Sequence, residues 1–209
     1  GKSIIINAVN LIDGIDGLAA GIIIISALSM TVMLVFSGQL LYAIFLVFLI
    51  FSTLGFLPFN RFPSKILMGD SGSLFAGVIL STVSMKTSFK ASLGIIILVP
   101  LGILAIPLID TVVAFIRRLL GGKNPFSPDH SHIHHKLLEK GFSEVKAANL
   151  LILLSMVCSI LGVTAYFISK NARVGIFIFL LFLIFSFLHY LGYFTLNGVQ
   201  KISRNSKKY

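Results

Sequence analysis

The sequence predicts an all-α fold, a polytopic integral membrane protein with about six transmembrane helices. Three observations predict it. Charged residues make up 11% of the chain, where a soluble domain carries about 25%, so there are too few to cover a water-facing surface. Hydrophobic residues reach 56%, with a mean hydropathy of +1.00. Apolar runs close to the roughly 20 residues that cross about 30 Å of hydrocarbon recur along the whole length.

In chain order the predicted spans are 18–37, 40–59, 71–85, 91–115, 147–169 and 174–196, the third being the shortest. They form a single domain over residues 1–209. The start shows no secretory signal or transit peptide and no initiator Met. It reads as the end of a helix, Lys2-Ser-Ile-Ile-Ile-Asn, so the expectation is a fragment whose N-terminal part is absent. The single cysteine, Cys158, lies in mid-span and reads as a small buried apolar residue, which leaves no disulfide framework and no thiolate metal cluster.

The net charge of +10 invites a nucleic-acid reading, and the positions of the charges argue against one. Arg61, Lys65, Arg117, Arg118, Lys123, Lys136, Lys140, Lys146 and the basic tail from Lys201 to Lys208 fall on one side of the predicted spans. Only Lys86, Lys90, Lys170 and Arg173 fall on the other. Cytoplasmic loops carry the excess of Lys and Arg, so the charge encodes topology and attraction to anionic headgroups. Segments 7–17, 60–70 and 121–146 are then cytoplasmic, and they hold six of the seven acidic residues and four of the five histidines. Such one-sidedness suits an enzyme with a cytosolic substrate better than a channel or a scaffold.

Three segments carry the chemistry. In "NAVNLIDGIDGLAAG", Asn7, Asn10, Asp13 and Asp16 recur every three residues, which helical geometry would bring onto roughly one face. A calcium loop is excluded, because it needs acids at alternating positions and a Glu at its twelfth. In "PFNRFPSKILMGDSGSLFAG", Pro58 and Pro63 break helix, and Ser71 or Gly72 opens the next span. Free backbone N–H groups and the positive dipole end then face the loop, an anion site, with Asp70 beside it suited to a magnesium ion shared with phosphate. In "NPFSPDHSHIHHKLLEKGFS", Ser127-Pro128 reads as a helix start and Gly141 as its stop. His130 and His134 share a face at i, i+4, and His132 and His135 are an i, i+3 pair. Four histidines within six residues suit either a transition metal or, when protonated, phosphate.

"GDSG" also resembles the turn that carries a nucleophilic serine, at Ser71. A serine protease needs a His and usually an Asp around that serine, and an intramembrane protease places it within the bilayer. Here it sits at the polar end of a span, so Asp70 is the better candidate.

With those motifs in order and separated by spans, the chain resembles the polyprenyl-phosphate N-acetylhexosamine-1-phosphate transferases. "HIHH" followed by "KLLEKGFS" is most similar to the branch that transfers GlcNAc-1-phosphate, and the peptidoglycan branch that transfers phospho-MurNAc-pentapeptide is the alternative. The resemblance implies that undecaprenyl phosphate attacks the β-phosphorus of a UDP-sugar, with Mg2+, releasing UMP in the first membrane step of cell-envelope polysaccharide synthesis. It implies Asp70 as magnesium ligand, Asn10, Asp13, Asp16 and Asn60 at the nucleotide-sugar site, and His132, His134 and His135 on the phosphates. Asp110 either belongs to the site or pairs with a basic neighbour, the second reading being preferred. The implied partners are the UDP-sugar, undecaprenyl phosphate, membrane lipids and a second copy in a homodimer, with no nucleic acid. The implied location is the bacterial inner membrane, with the site facing the cytoplasm. The family also carries an adjacent aspartate pair upstream. No Asp-Asp occurs in this sequence, so the fragment alone is expected to be inactive. A metal transporter using the His loop is the rival class, but it calls for acids or histidines along the spans, where only Asp110 and His189 qualify.

Overall fold

The computed structural model describes residues 2–89, 104–120 and 133–193, and all regular structure among them is helical. The helices are α1 (Lys2–Leu11), α2 (Leu18–Phe36), α3 (Leu40–Asn60), α4 (Gly69–Phe89), α5 (Ala105–Leu120), α6 (Ile133–Glu139), α7 (Glu144–Phe167) and α8 (Lys170–Tyr190).

The central helix is α2, apolar on every side, which is the pattern of a helix buried all round. It turns back into α3 through Gly38, whose φ of 70° is the left-handed conformation that glycine adopts without strain. The Gln39 N–H reaches the Leu34 carbonyl and the Gly38 N–H that of Val35, which satisfies two otherwise orphaned helix-end acceptors. On its other side α2 runs parallel to α7. Gly21 lies against Ile152 near one end, and the Ser37 and Tyr166 hydroxyls share a hydrogen bond near the other. Two apolar clusters meet along α2. One joins it to α1, α3 and α4 through residues such as Ile23, Met30, Leu46 and Leu80. The second joins it to α5, α6, α7 and α8 through Leu18, Ile22, Ile106, Leu137 and Leu151.

Outward faces are as apolar as inward ones. Phe45, Phe48 and Phe51 are all exposed along α3, and Phe179 and Phe182 along α8. That is the pattern for a helix whose solvent is lipid. Four helical stretches are long and apolar enough to cross a membrane: Leu18–Phe36, Leu40–Asn60, Glu144–Phe167 and Asn171–Tyr190. These correspond to four of the six predicted spans. The third prediction falls on α4, which is 21 residues long but begins Gly-Asp-Ser-Gly-Ser and so is less apolar than the rest. The fourth falls partly on α5, whose described part contains the shorter apolar stretch Ala105–Ile116, and partly outside the described residues.

One packing detail builds the site. α1 lies antiparallel against α4, with Ile6 on Gly77, Asn10 on Ser73 and Asp13 on Gly69. Each step of three or four residues along one helix is answered by four along the other, the spacing of a helical turn. A Cβ on Gly77 would stand 2.9 Å from the Ile6 Cα, so the two backbones are in direct contact there. The N-terminus of α4 is thereby set beside the turn that follows α1.

At the opposite end of the bundle, α7 passes into α8 through Ile168 and Ser169, both extended. Arg173 folds back over this link, its Nε donating to the Ala165 carbonyl (2.7 Å) and its Nη2 to that of Ile168 (3.1 Å).

Candidate active site

The expectation that Asn7, Asn10, Asp13 and Asp16 share one helical face holds for only part of the run. Asn7 and Asn10 lie on α1, which ends at Leu11, and Asp13 and Asp16 lie on the turn between α1 and α2. The two Asp-Gly pairs form a turn there, and Gly17, with a φ of 74°, is the cap from which α2 starts. The turn instead aims its carboxylates at the next loop and at α4. Asp16 Oδ2 accepts the Ser64 N–H at 2.8 Å. The N–H of Gly69, the first residue of α4, lies on the Asp13 side and favours the charged form of its carboxyl.

α4 thus begins two residues before the predicted Ser71. Gly69 has a φ of 65°, which places Asp70 in the first helical turn rather than in the loop. One of the backbone donors expected to face a ligand anion is thus directed toward Asp13. Asp70 itself is exposed and projects from the same turn. The Ser73 hydroxyl, one turn on, bonds Asn10 Oδ1 and lies within reach of the Gly69 carbonyl at 2.9 Å.

Asn60 is buried, 2% exposed, and its amide is turned into the protein. Its Oδ1 accepts the Gly17 N–H at 3.1 Å and its Nδ2 donates to the Ile66 carbonyl at 3.0 Å. It therefore ties the start of α2 to the 61–68 loop, and its effect on a ligand runs through Asp16 and the loop.

The histidine segment closes over the same turn. α6 ends as predicted at Gly141, whose φ is 89°. The Phe142 N–H bonds the Leu137 carbonyl and the Gly141 N–H that of Leu138, a left-handed glycine cap. His134 is 2% exposed, and its ring occupies the space beside Gly14, where a Cβ would come within 2.6 Å of Cε1 and Nε2. The His135 ring lies 4.2 Å from it, centroid to centroid. His130, His132 and the predicted helix start at Ser127-Pro128 lie outside the described residues.

Burial raises the Asp13 pKa above the ordinary carboxylate value; the Gly69 N–H opposes this, and the negative charges of Asp70 and Asp16 add to it. The folded chain therefore holds the Asp13 proton more tightly than the unfolded chain does. Stability is highest with the proton on and falls as pH rises through the raised folded value. Asp13→Asn is accordingly expected to keep or raise the melting temperature at pH 7 without divalent cation, while lowering any activity. A thermal unfolding scan with and without magnesium checks it.

Among the described residues no three His, Cys, Asp or Glu side chains converge tightly enough to hold a metal alone. The donor set still suits magnesium, a hard cation that takes one or two carboxylates and completes its shell with phosphate and water. Asp70 is the exposed carboxylate, and Asp13 and Asp16 supply negative charge behind it.

The structure thus brings Asn10, Asp13, Asp16, Asp70 and His134 together at one end of the bundle, with His135 beside them and Asn60 beneath the loop. Sequence reasoning passed over Ser64, Ser73 and Gly14. Ser73 carried a signal: it stands one helical turn beyond Gly69, on the face that meets α1.

The chain matches the model of glycosyl transferase family 4 over residues 2–88, which include α1, both Asp-Gly pairs and Asp70. It is 38% identical over 191 residues to the Bacillus subtilis (strain 168) protein named "Probable undecaprenyl-phosphate N-acetylglucosaminyl 1-phosphate transferase", covering 91% of this chain and 52% of that one. It is 34% identical over 187 residues to the undecaprenyl-phosphate alpha-N-acetylglucosaminyl 1-phosphate transferase of Escherichia coli (strain K12), 85% of this chain and 50% of that one. The decaprenyl-phosphate N-acetylglucosaminephosphotransferase of Mycolicibacterium smegmatis is 38% identical over 168 residues, 71% of this chain and 41% of that one. The chain spans about half the length of the curated relatives it matches. Through these matches and the motifs that form its site, the chain is identified over residues 2–88 as glycosyl transferase family 4 sequence.

Proposed function

We propose that this chain supplies the nucleotide-sugar and metal side of an enzyme that transfers GlcNAc-1-phosphate from UDP-GlcNAc to undecaprenyl phosphate. An oxygen of the lipid phosphate bonds to the β-phosphorus of the donor, the bond from that phosphorus to the bridging oxygen breaks, and UMP leaves. The reaction takes place at the cytoplasmic face of the bacterial plasma membrane, as the distribution of Lys and Arg supports.

The observation that carries the reading is the convergence of the Asp13–Asp16 turn, the first turn of α4 and the histidine helix. Phosphoryl transfer needs little covalent chemistry from protein and much charge placement, which such a cluster can provide. When bound, Mg2+ would neutralise the diphosphate and the charge that develops on the leaving oxygen. Asp70 would hold that ion from its exposed position on α4, with Asp13 behind it. Asp16 and Asn60 fix the 61–68 loop, and Asn10 fixes Ser73, so that the nucleotide meets a preformed wall. His134 and His135 present imidazoles to the diphosphate from the other side; the role of His132, outside the described residues, rests on the resemblance alone. The names of the relatives support the polyprenyl phosphate acceptor and the N-acetylglucosamine unit.

The test uses the chain extended to the length of its relatives, in membranes containing undecaprenyl phosphate. UMP release is expected from UDP-GlcNAc but not from UDP-MurNAc-pentapeptide, and only with magnesium. This chain alone, without an aspartate pair, is expected to give none. Release from the pentapeptide nucleotide would move the reading to the peptidoglycan branch, and release from neither would overturn it.

A further inference from the structure

We propose that Asp110 is the positioning residue of the histidine helix, fixing where His134 stands. The inference rests on the reading of His134 as a group that meets the donor's phosphates.

Asp110 is 3% exposed on α5, far in sequence from the motifs that drew attention. Its Oδ1 accepts the N–H of Ile133 at 2.8 Å, across 23 residues of chain. Ile133 is the first residue of α6, where an N–H has no partner within the helix, and it is itself 2% exposed. The next residue is His134. A side-chain oxygen that accepts a first-turn N–H satisfies a donor the helix itself cannot, so Oδ1 is an effective anchor for that first turn.

The other sides of α6 are also held. Leu137 is fully buried below, the Gly141 cap fixes the far end, and the Lys140 ammonium sits 4.6 Å from the Tyr190 ring centroid. Gly14 leaves the space that the His134 ring fills. Asp110 is what holds the near end of the short helix. Without its carboxylate the first turn can shift while the rest stays packed, and His134 moves with it. A displacement near 1 Å of a positioned group can cost about a hundredfold in rate.

The experiment compares Asp110→Ala, Asp110→Asn, His134→Ala and the Asp110→Ala/His134→Ala double variant, all in the extended protein. Asp110→Ala is expected to lower kcat by about 10- to 100-fold, the range seen when a supporting partner of a site residue is removed. The KM for UDP-GlcNAc should change far less. Asp110→Asn should recover most of the loss, because its Oδ1 can still accept the Ile133 N–H. The double variant should be no slower than His134→Ala, since Asp110 acts through that histidine. Losses that multiply in the double variant, or an Asn variant as slow as Ala, would overturn the proposal.

Hydrogen exchange in the same variants gives a readout that needs no turnover. Amides 133–137 should exchange faster in Asp110→Ala and at the parental rate in Asp110→Asn. Unchanged exchange in Asp110→Ala would overturn the positioning role. Faster exchange in a protein whose parent shows no turnover would uphold that role and sink only the transferase reading.

Discussion

Asp70→Asn in the extended protein is expected to lower magnesium-dependent UMP release by about a thousandfold, while Ser71→Ala stays within about threefold. A thousandfold corresponds to roughly 4 kcal/mol of transition-state stabilisation, the several kcal/mol that metal charge contributes to phosphoryl chemistry. The fold should hardly notice the first change. Asp70 is exposed in the first turn of α4, where a carboxylate is worth only about 0.3–1 kcal/mol against the helix dipole. Asparagine keeps its shape and loses only the charge. Single-turnover assays with equal amounts of folded protein separate binding from chemistry. The reverse result, an active Asp70→Asn and a dead Ser71→Ala, would return the "GDSG" turn to the serine reading.

The second large effect is expected at Gly77, far from any reacting atom. Replacing glycine by alanine inside a helix ordinarily stabilises by roughly 0.5–1 kcal/mol. At Gly77 the new methyl would stand 2.9 Å from the Ile6 Cα and 3.2 Å from its carbonyl oxygen, both backbone atoms that cannot swing aside. Overpacking of this kind costs about 1–3 kcal/mol, so the sign reverses. The cost should also reach the site, because separating α1 from α4 pulls Asn10 from Ser73 and Asp13 from Gly69. Gly55 is the control: it lies within α3, and a Cβ there meets nothing within 4 Å. Gly55→Ala should be neutral or stabilising in detergent thermal unfolding, with activity intact. Equal behaviour of the two variants would show that the α1–α4 contact is not tight.

Much of this was legible in the chain because lipid imposes a simple rule on sequence. Helices α2, α3, α7 and α8 announce themselves as long apolar runs, and their ends fall within a few residues of the predicted spans. The polar segments were legible for the complementary reason, since a carboxylate or imidazole amid so much hydrocarbon must be held by partners or water. The local geometry was less so. Spacing by three suggested one helical face for Asn7 to Asp16, and the glycines at 14 and 17 overrode it by offering the backbone a turn. Asp110 was read as a site residue or as the partner of a basic neighbour; its Oδ1 also takes a backbone N–H from a residue 23 positions away, and no local pattern encodes such a bond. Asn60 looked like a ligand contact from its place in the motif, whereas burial shows its amide knitting two segments of backbone.

Arg173 bears on how such a chain comes to be threaded. It is among the few cations on the side opposite the site, and taken alone it argues against the orientation that the remaining charges favour. Its guanidinium is committed to the carbonyls at the tail of α7, where the dipole of that helix is negative. The hairpin therefore carries its awkward charge already matched by its own peptide groups. The tip of this hairpin thus presents less bare charge than the letters of the sequence suggest.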